Sequence, residues 1–153
     1  PVLSRGLGDV YKRQVDNTGQ TAVFSGANTL GINAEYKSQN AAAAGNLLAN
    51  TTIAKAMVTA FHHTHGQFGD RLIAAMFAGL EAGGEAGDVH SAGLLIVDQQ
   101  DWPLADLRCD WTENCPISTL SAAWDVYKPQ MDDYVTRALN PEAARSYGVL
   151  GDL

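Results

Sequence analysis

The segment SAGLLIV at residues 91–97 is the strongest indication of the fold class in this sequence. From Ala92 to Val97 every residue is glycine or apolar, with no polar position in between. Continuous apolarity over this length is typical of a β-strand that is covered on both faces. Such a strand requires one layer of structure above its sheet and another layer below it.

A second strand is predicted at residues 104–111, after a polar turn at residues 98–103. Apolar and charged residues alternate in it, and successive side chains of a strand point to opposite faces. One face carries Ala105, Leu107, Cys109 and Trp111, and the other carries Asp106, Arg108 and Asp110. The three charged side chains are therefore expected to lie side by side.

Two amphipathic helices are predicted before these strands. Residues 50–52 (NTT) form an N-cap cluster, apolar residues then recur at helical spacing, and Gly66 ends the helix. The second helix covers residues 68–82 and stops at a pair of glycines, residues 83–84. The short link between the helices predicts that they pack antiparallel.

The remaining segments complete an α+β pattern. A third helix begins at Pro116, Pro129 breaks it, and a fourth runs from Met131 to Leu139. Residues 15–26 predict a β-hairpin, whereas residues 27–49 lack periodicity and predict a long loop or a partly ordered excursion. Strands, paired helices, strands and helices in this order favour α+β layers over a doubly wound sheet.

The first fourteen residues differ in character from the rest. Residues 1–14 (PVLSRGLGDVYKRQ) resemble the translation of a sequencing adapter, and no apolar signal-peptide segment follows their charges. We interpret residues 1–14 as a non-native scar, residues 15–140 as the domain and residues 141–153 as a weakly structured tail. A native polar arm is the alternative, and under the scar interpretation the native N-terminus is missing.

Composition restricts the classes of partner. The chain has 153 residues, and 17 acidic against 10 basic residues give a net charge of −7. This balance argues against nucleic-acid backbones and anionic membranes as partners. No apolar run approaches the roughly 18 residues of a membrane span. Two cysteines, Cys109 and Cys115, do not make a disulfide framework, and Cys109 is expected to be an inert buried thiol.

The charged row on the second strand is the leading candidate site. Arg108 between the carboxylates of Asp106 and Asp110 would keep both ionised and hold its own guanidinium as an anion anchor. The alternative is a solvated strand face, because structural ion pairs are common.

Three further candidates each have a simpler alternative. His90 beside Ser91 pairs a base with a nucleophile, but neighbouring strand residues point to opposite faces. His62 and His65 have a spacing that suits a metal, yet histidines near a helix C-terminus are also favourable there, and no metal or cofactor is expected. Asn46, after Gly45, would present backbone N–H groups to an anion or oxyanion, or simply form a turn.

Five segments in order are similar to one protein family. They are AGNLLA at 44–49, DRLIAA at 70–75, LEAGGEAG at 80–87, SAGLLIV at 91–97 and DLRCD at 106–110. Together they resemble an uncharacterised bacterial family assigned to the Ntn-hydrolase (N-terminal nucleophile) superfamily. The resemblance covers Val15 to Leu139 and rests on the ordered set rather than on a single diagnostic motif. The chain departs from the family at residues 88–90 (DVH), where the family is typically basic and glycine-rich.

The resemblance implies an αββα sandwich, of which this chain is a partial form without the N-terminal strands. It implies hydrolysis of amide-like bonds by a Thr, Ser or Cys at the mature N-terminus, with the α-amine as base. Pro1 has no nucleophilic side chain, so the chain as given is expected to be inactive. The candidate substrate contacts in the intact protein are Asn46, Arg71, His90, Asp106, Arg108 and Asp110.

A non-catalytic binding or structural module is the alternative function, because a fold does not determine a function. Some members of the family carry a pilus-assembly label, which would place such a module at the cell envelope. The expected partner is a small-molecule or peptide-like substrate, and a homo-oligomer is left open. The sequence does not determine the compartment, although it favours the cytoplasm.

Overall fold

The computed structural model describes residues 11–146 and 148. The chain divides into two compact units, the first ending at Val89 and the second beginning at His90. Residues 1–10 of the predicted scar and most of the predicted tail from residue 147 onward lie outside the described residues.

The first unit begins with the predicted hairpin. Strand β1 (Tyr11–Val15) pairs antiparallel with β2 (Thr21–Ser25). The Asp16 carboxylate holds the turn because its Oδ1 accepts hydrogen bonds from the backbone N–H groups of Thr18 and Gln20, at 2.8 and 2.9 Å. The hairpin prediction is confirmed, with a first strand that starts earlier than expected and includes residues 11–14.

A second hairpin occupies residues 34–45, so the prediction of a long loop is wrong for that part of residues 27–49. Strands β3 (Ala34–Ser38) and β4 (Ala41–Gly45) pair antiparallel across a two-residue turn, in which Asn40 has a φ of 65°. Four consecutive alanines have little strand preference, so β4 gives no local signal. Its pairing with β3 and its packing against β1, β2 and the first helix stabilise it instead.

Helix α1 (Ile53–His63) and helix α2 (Phe68–Glu81) confirm the predicted pair. Arg71, near the start of α2, donates a hydrogen bond from Nε to the carbonyl oxygen of Phe61 near the end of α1, at 3.1 Å. At the other end of α2, a Cβ on Gly79 would lie 2.9 Å from Cγ of Met57 in α1. The helices are therefore antiparallel, as the short link predicts. The core of this unit contains Ala34, Ala43, Leu48, Ile53, Ala54 and Val58.

The second unit is built on an antiparallel pair of strands. Strand β5 (Ala92–Ile96) pairs with β6 (Ala105–Cys109), and helix α3 (Pro116–Tyr127) packs against both. The face toward the core contains Leu94, Ile96, Ala105 and Cys109, all buried. Helix α3 starts at Pro116 as predicted, and its Leu120 and Trp124 are almost completely buried.

The prediction that β5 is covered on both faces is wrong. Burial alternates along the strand, and Leu95 is 60% exposed while its neighbours Leu94 and Ile96 are buried. The physical reason is that α3 covers one face of β5–β6 within the described part of this unit. We call the other face, with Gly93, Leu95, Asp106 and Arg108, the open face.

Short helical segments follow α3 in the described part of the chain. Residues 128–130 form a 3₁₀ turn at Pro129, and helix α4 (Met131–Leu139) follows, as predicted. The Tyr127 and Tyr134 rings stack with centroids 5.6 Å apart and so connect α3 to α4. The architecture is mixed α+β with small antiparallel sheets, which confirms the coarse fold class. No helix in the described ranges has the length and apolarity that crossing a membrane would require.

Candidate functional site

Two members of the charged row, Asp106 and Arg108, lie on the open face of strand β6, and Asp110 follows the last residue of that strand. Arg108 binds Asp106 through two hydrogen bonds, from Nε to Oδ1 at 2.9 Å and from Nη2 to Oδ2 at 2.8 Å. Both side chains are exposed, Arg108 at 65% and Asp106 at 40%. Residues two apart on a strand share a face, which is why this pairing follows directly from the local sequence.

The pair is electrostatically coupled. Hydrogen bonding to Arg108 lowers the pKa of the Asp106 carboxyl below its ordinary value, and the positive charge of Arg108 adds to this effect. The pKa of Arg108 is raised, first by the hydrogen bonds to Asp106 and then by the charge of that carboxylate. Asp110 contributes to Arg108 through its charge alone. The predicted clamp of two carboxylates is therefore formed by contact on the Asp106 side only.

Arg108 keeps donors for a ligand. A guanidinium has five N–H donors, and Asp106 engages two of them, through the Nε–Nη2 edge. Gly93 lies opposite Arg108 on β5 and has no side chain that would cover it. The fixed guanidinium therefore presents free N–H groups, a geometry that suits a carboxylate or phosphate.

His90 has a separate environment. Its Nδ1 lies 2.9 Å from the carbonyl oxygen of Thr112, so Nδ1 carries the proton and donates it, because a carbonyl only accepts. The imidazole stacks on the Trp111 ring, with centroids 4.1 Å apart and planes at 10°. No hydrogen bond joins His90 to Ser91 among the described residues. The histidine acts here as the support of a tryptophan ring.

Asn46 and Arg71 belong to the first unit and bind backbone carbonyls there. Asn46 donates from Nδ2 to the Leu30 oxygen at 3.3 Å, and the next two backbone N–H groups donate to the carbonyls of Leu30 and Ile32. The backbone N–H groups that the sequence predicts as an anion site therefore already donate hydrogen bonds to loop carbonyls. Arg71, besides its bond to Phe61, places its guanidinium 4.0 Å above the Phe61 ring and so joins the two helices.

Two side-chain interactions in the structure were not predicted from the sequence. Ser38 Oγ and His62 Nε2 lie 2.7 Å apart, and residues 24 positions apart give no local signal. Cys115 precedes α3, and hydrogen bonds from the hydroxyl and the backbone of Ser118 lower the pKa of its thiol. Both cysteines are free, and Cys109 is buried as predicted. Within the described ranges, no cluster of three or more His, Cys, Asp or Glu side chains has the geometry to hold a metal ion.

A comparison with known protein families identifies the family of this chain. The model of the "Family of unknown function (DUF1028)" matches residues 10–120, which is most of the chain. The chain belongs to the DUF1028 family. The matched range includes residues of both units. It contains all six candidate residues, namely Asn46, Arg71, His90, Asp106, Arg108 and Asp110.

A solved DUF1028 structure has the same fold. The crystal structure of protein SPO2555 from Silicibacter pomeroyi, itself assigned to the DUF1028 model, aligns with a TM-score of 0.71 at 27% sequence identity. The alignment covers 93% of this chain and 57% of that one, so this DUF1028 chain spans a little over half the length of that relative. No curated protein matches the chain.

Proposed function

We propose that this DUF1028 chain binds the carboxylate of a small-molecule or peptide-like amide substrate, and that the full-length protein hydrolyses the amide as an Ntn-type hydrolase. The observation that carries the proposal is the exposed Arg108 guanidinium, fixed along one edge by Asp106 with its other N–H groups free. A fixed fork of this kind binds a carboxylate through two parallel hydrogen bonds.

The open face supplies the rest of the substrate site. Leu95 lies opposite Asp106 and is 60% exposed, which offers an apolar surface beside the charged pair. A substrate with an acyl or aliphatic part next to its carboxylate would cover Leu95 while Arg108 binds the charge.

The proposed chemistry belongs to the mature N-terminus of the full-length protein. A Thr, Ser or Cys side chain there attacks the amide carbonyl, its proton passes to its own α-amine, and that amine protonates the departing amine. Water then hydrolyses the acyl-enzyme and releases the acid. In this proposal residues 15–140 form the C-terminal part of an αββα domain, residues 1–14 are non-native and residues 141–153 form a tail. The mixed α+β architecture with antiparallel sheets is compatible with that domain.

A non-catalytic binding module is the second candidate function. The same observation favours it, because carboxylate binding by Arg108 requires no nucleophile. The two functions differ in turnover and share the dependence of binding on Arg108.

The test uses the full-length protein with its native N-terminus and a panel of N-acyl amino acids. Each substrate is matched with its carboxamide, which lacks the negative charge. We expect turnover of the acids, and we expect Arg108→Met to raise KM severalfold with kcat little changed, since the variant removes hydrogen bonds that hold the substrate carboxylate equally in the ground state and in the transition state. Lys55→Met removes an exposed positive charge from α1 and is the matched control.

Three outcomes separate the possibilities. Arg108-dependent binding of the acids without turnover supports the binding module and contradicts the hydrolase. Turnover of acids and carboxamides at equal efficiency contradicts the role of Arg108. An inert residue at the mature N-terminus contradicts the Ntn mechanism.

A further inference from the structure

Trp111 is an exposed indole ring that is held in place on two sides. It retains 68% of its accessible surface, yet its Nε1–H donates to Oε1 of Glu113 at 3.0 Å. One face of the ring stacks on His90 at a centroid distance of 4.1 Å. An exposed tryptophan would ordinarily sample several rotamers, and these contacts restrict it to one orientation with the other face in solvent.

The support under the indole is itself fixed. Thr112 accepts the Nδ1–H of His90 at its carbonyl oxygen and donates its own N–H to the carbonyl of His90, both at 2.9 Å. The Thr112 hydroxyl oxygen also accepts the backbone N–H of Asn114 at 3.1 Å. The four residues Trp111, His90, Thr112 and Glu113 therefore form one hydrogen-bonded and stacked unit, which we call the Trp111 platform.

A change of strand register creates this platform. The partners on β5 and β6 have numbers that sum to 201, as in Ala92 with Cys109. The bond from the N–H of Thr112 to His90 has a sum of 112 + 90 = 202, so the chain after β6 contains one extra residue. This shift lies beyond the last β5–β6 pair, so Trp111 does not continue the alternation of β6, and its side chain is exposed instead of facing the core.

The charges around the platform select the ligand. Among side-chain rings, the indole face attracts cations most strongly, and the Glu113 carboxylate at its rim adds a negative charge. Only one Glu113 oxygen is used by the indole, so Oε2 remains free to accept a hydrogen bond. In the described part of the chain, Arg13, Arg71 and Arg137 each lie over an aromatic ring, and none of them lies over Trp111.

We propose that the Trp111 platform binds a guanidinium group, with its plane on the free indole face and an N–H donated to Glu113 Oε2. A guanidinium is planar, weakly hydrated and rich in donors, so it stacks on an indole and binds a carboxylate at the same time. The Arg71 guanidinium, 4.0 Å from the Phe61 ring, shows the same stacking within this chain. This site is independent of the carboxylate-binding role of Arg108.

The experiment follows the three indole N–H resonances of the ¹⁵N-labelled full chain during titration with argininamide. Trp102, exposed, and Trp124, buried, are internal controls, and Trp102→Phe and Trp111→Phe assign the signals. Citrullinamide is the matched ligand, because it keeps the shape of argininamide without its side-chain charge. An acetylated Gly-Arg-Gly peptide tests whether the guanidinium is recognised in a peptide or only in a small molecule.

We expect a saturable shift of the Trp111 resonance with argininamide and none with citrullinamide. Trp111→Ala should abolish the saturable shifts of neighbouring backbone amides. Glu113→Gln, which keeps the acceptor for the indole but removes the charge, should raise the dissociation constant about twofold to fivefold. Equal shifts with citrullinamide, or unchanged affinity in both variants, would overturn the proposal.

Discussion

The backbone N–H of Asn40 donates a hydrogen bond to the carbonyl oxygen of Gly19 at 2.8 Å, so the turns of the two N-terminal hairpins lie against each other. A second bond, from Gln39 Nε2 to the carbonyl oxygen of Thr18 at 3.0 Å, strengthens this contact. The backbone of Gly19 has a φ of 79°, a conformation that costs an L-residue roughly 1–2 kcal/mol. Glycine at position 19 therefore allows the positive φ of the turn and leaves room for Asn40 to approach closely.

Gly19→Ala should destabilise the first unit. The new Cβ would collide with the side chain of Asn40, and the positive φ adds strain. We expect the free energy of unfolding to fall by about 1–3 kcal/mol in chemical denaturation followed by far-UV circular dichroism. Gly87→Ala is the control, because a Cβ there meets nothing within 4 Å, and its effect should stay within about 0.5 kcal/mol. Equal stability of the two variants would contradict the contact between the turns.

Leu120→Ala and Leu95→Ala should have very different effects on the second unit. Leu120 is 0% exposed beside the buried Trp124, whereas Leu95 is 60% exposed on the open face. We expect losses of about 2–5 kcal/mol for Leu120→Ala and less than about 1 kcal/mol for Leu95→Ala. Tryptophan fluorescence reports this unit specifically, because all three tryptophans lie beyond residue 90. A loss of several kcal/mol for Leu95→Ala would show that a further layer covers the open face.

Local chemistry explains which parts of the fold the sequence predicts. The helices follow from apolar spacing and from their stop signals, such as Gly83 with its φ of 128°. Strand β6 follows from alternation that the structure confirms from Ala105 to Cys109, whereas the prediction that Trp111 continues the apolar face is wrong, because Trp111 lies beyond the strand and is 68% exposed. Hairpin β3–β4 was missed because its alanines form a strand through tertiary pairing, not through propensity. The burial of Leu95 was predicted wrongly because continuous apolarity reports the capacity for two-sided packing, whereas the second layer depends on other segments.

The same distinction applies to the candidate site. The Arg108–Asp106 pair was predictable because residues two apart on one strand share a face. The stacking of His90 on Trp111 was not, because it depends on strand pairing and on an extra residue after β6. Asn46 and Arg71 show a third case, in which polar side chains in family-like segments bind nearby carbonyls of the same unit.

Arg108→Met should raise the pKa of Asp106 toward its ordinary value of 3.8. In the native protein hydrogen bonds from Arg108 lower this pKa, so the pair stabilises the folded state above the ordinary carboxyl range. That contribution is lost as the pH falls through the lowered pKa. Arg108→Lys should restore the pKa shift only in part, because it keeps the charge without the two-pronged hydrogen bonding.

Carboxyl ¹³C NMR during an acid titration measures the Asp106 pKa directly. Asp16 is the internal control, since hydrogen bonding to Thr18 and Gln20 lowers its pKa in the first unit, and Arg108 plays no part in this. Its titration should be the same in all three proteins. An Asp106 pKa that does not move in Arg108→Met would show that the ion pair is not populated in solution.

Cys115 should be alkylated faster than Cys109. The thiolate is the reactive form, and the hydrogen bonds from Ser118 lower the pKa of Cys115, so a larger fraction of it is ionised near neutral pH. Cys109 is only 7% exposed in the core of the second unit and is shielded from the reagent. Labelling with iodoacetamide, followed by peptide mass spectrometry, should therefore modify Cys115 first.

Ser118→Ala separates the effect of the hydrogen bond from that of exposure. This variant removes the hydroxyl donor but keeps the backbone N–H groups of α3, so Cys115 should react more slowly at pH 7 while Cys109 is unchanged. The difference between the variant and the native protein should disappear above the ordinary thiol pKa of 9.0, where Cys115 is ionised in both proteins. A rate at pH 7 that is insensitive to Ser118→Ala would mean that exposure alone sets the reactivity of Cys115.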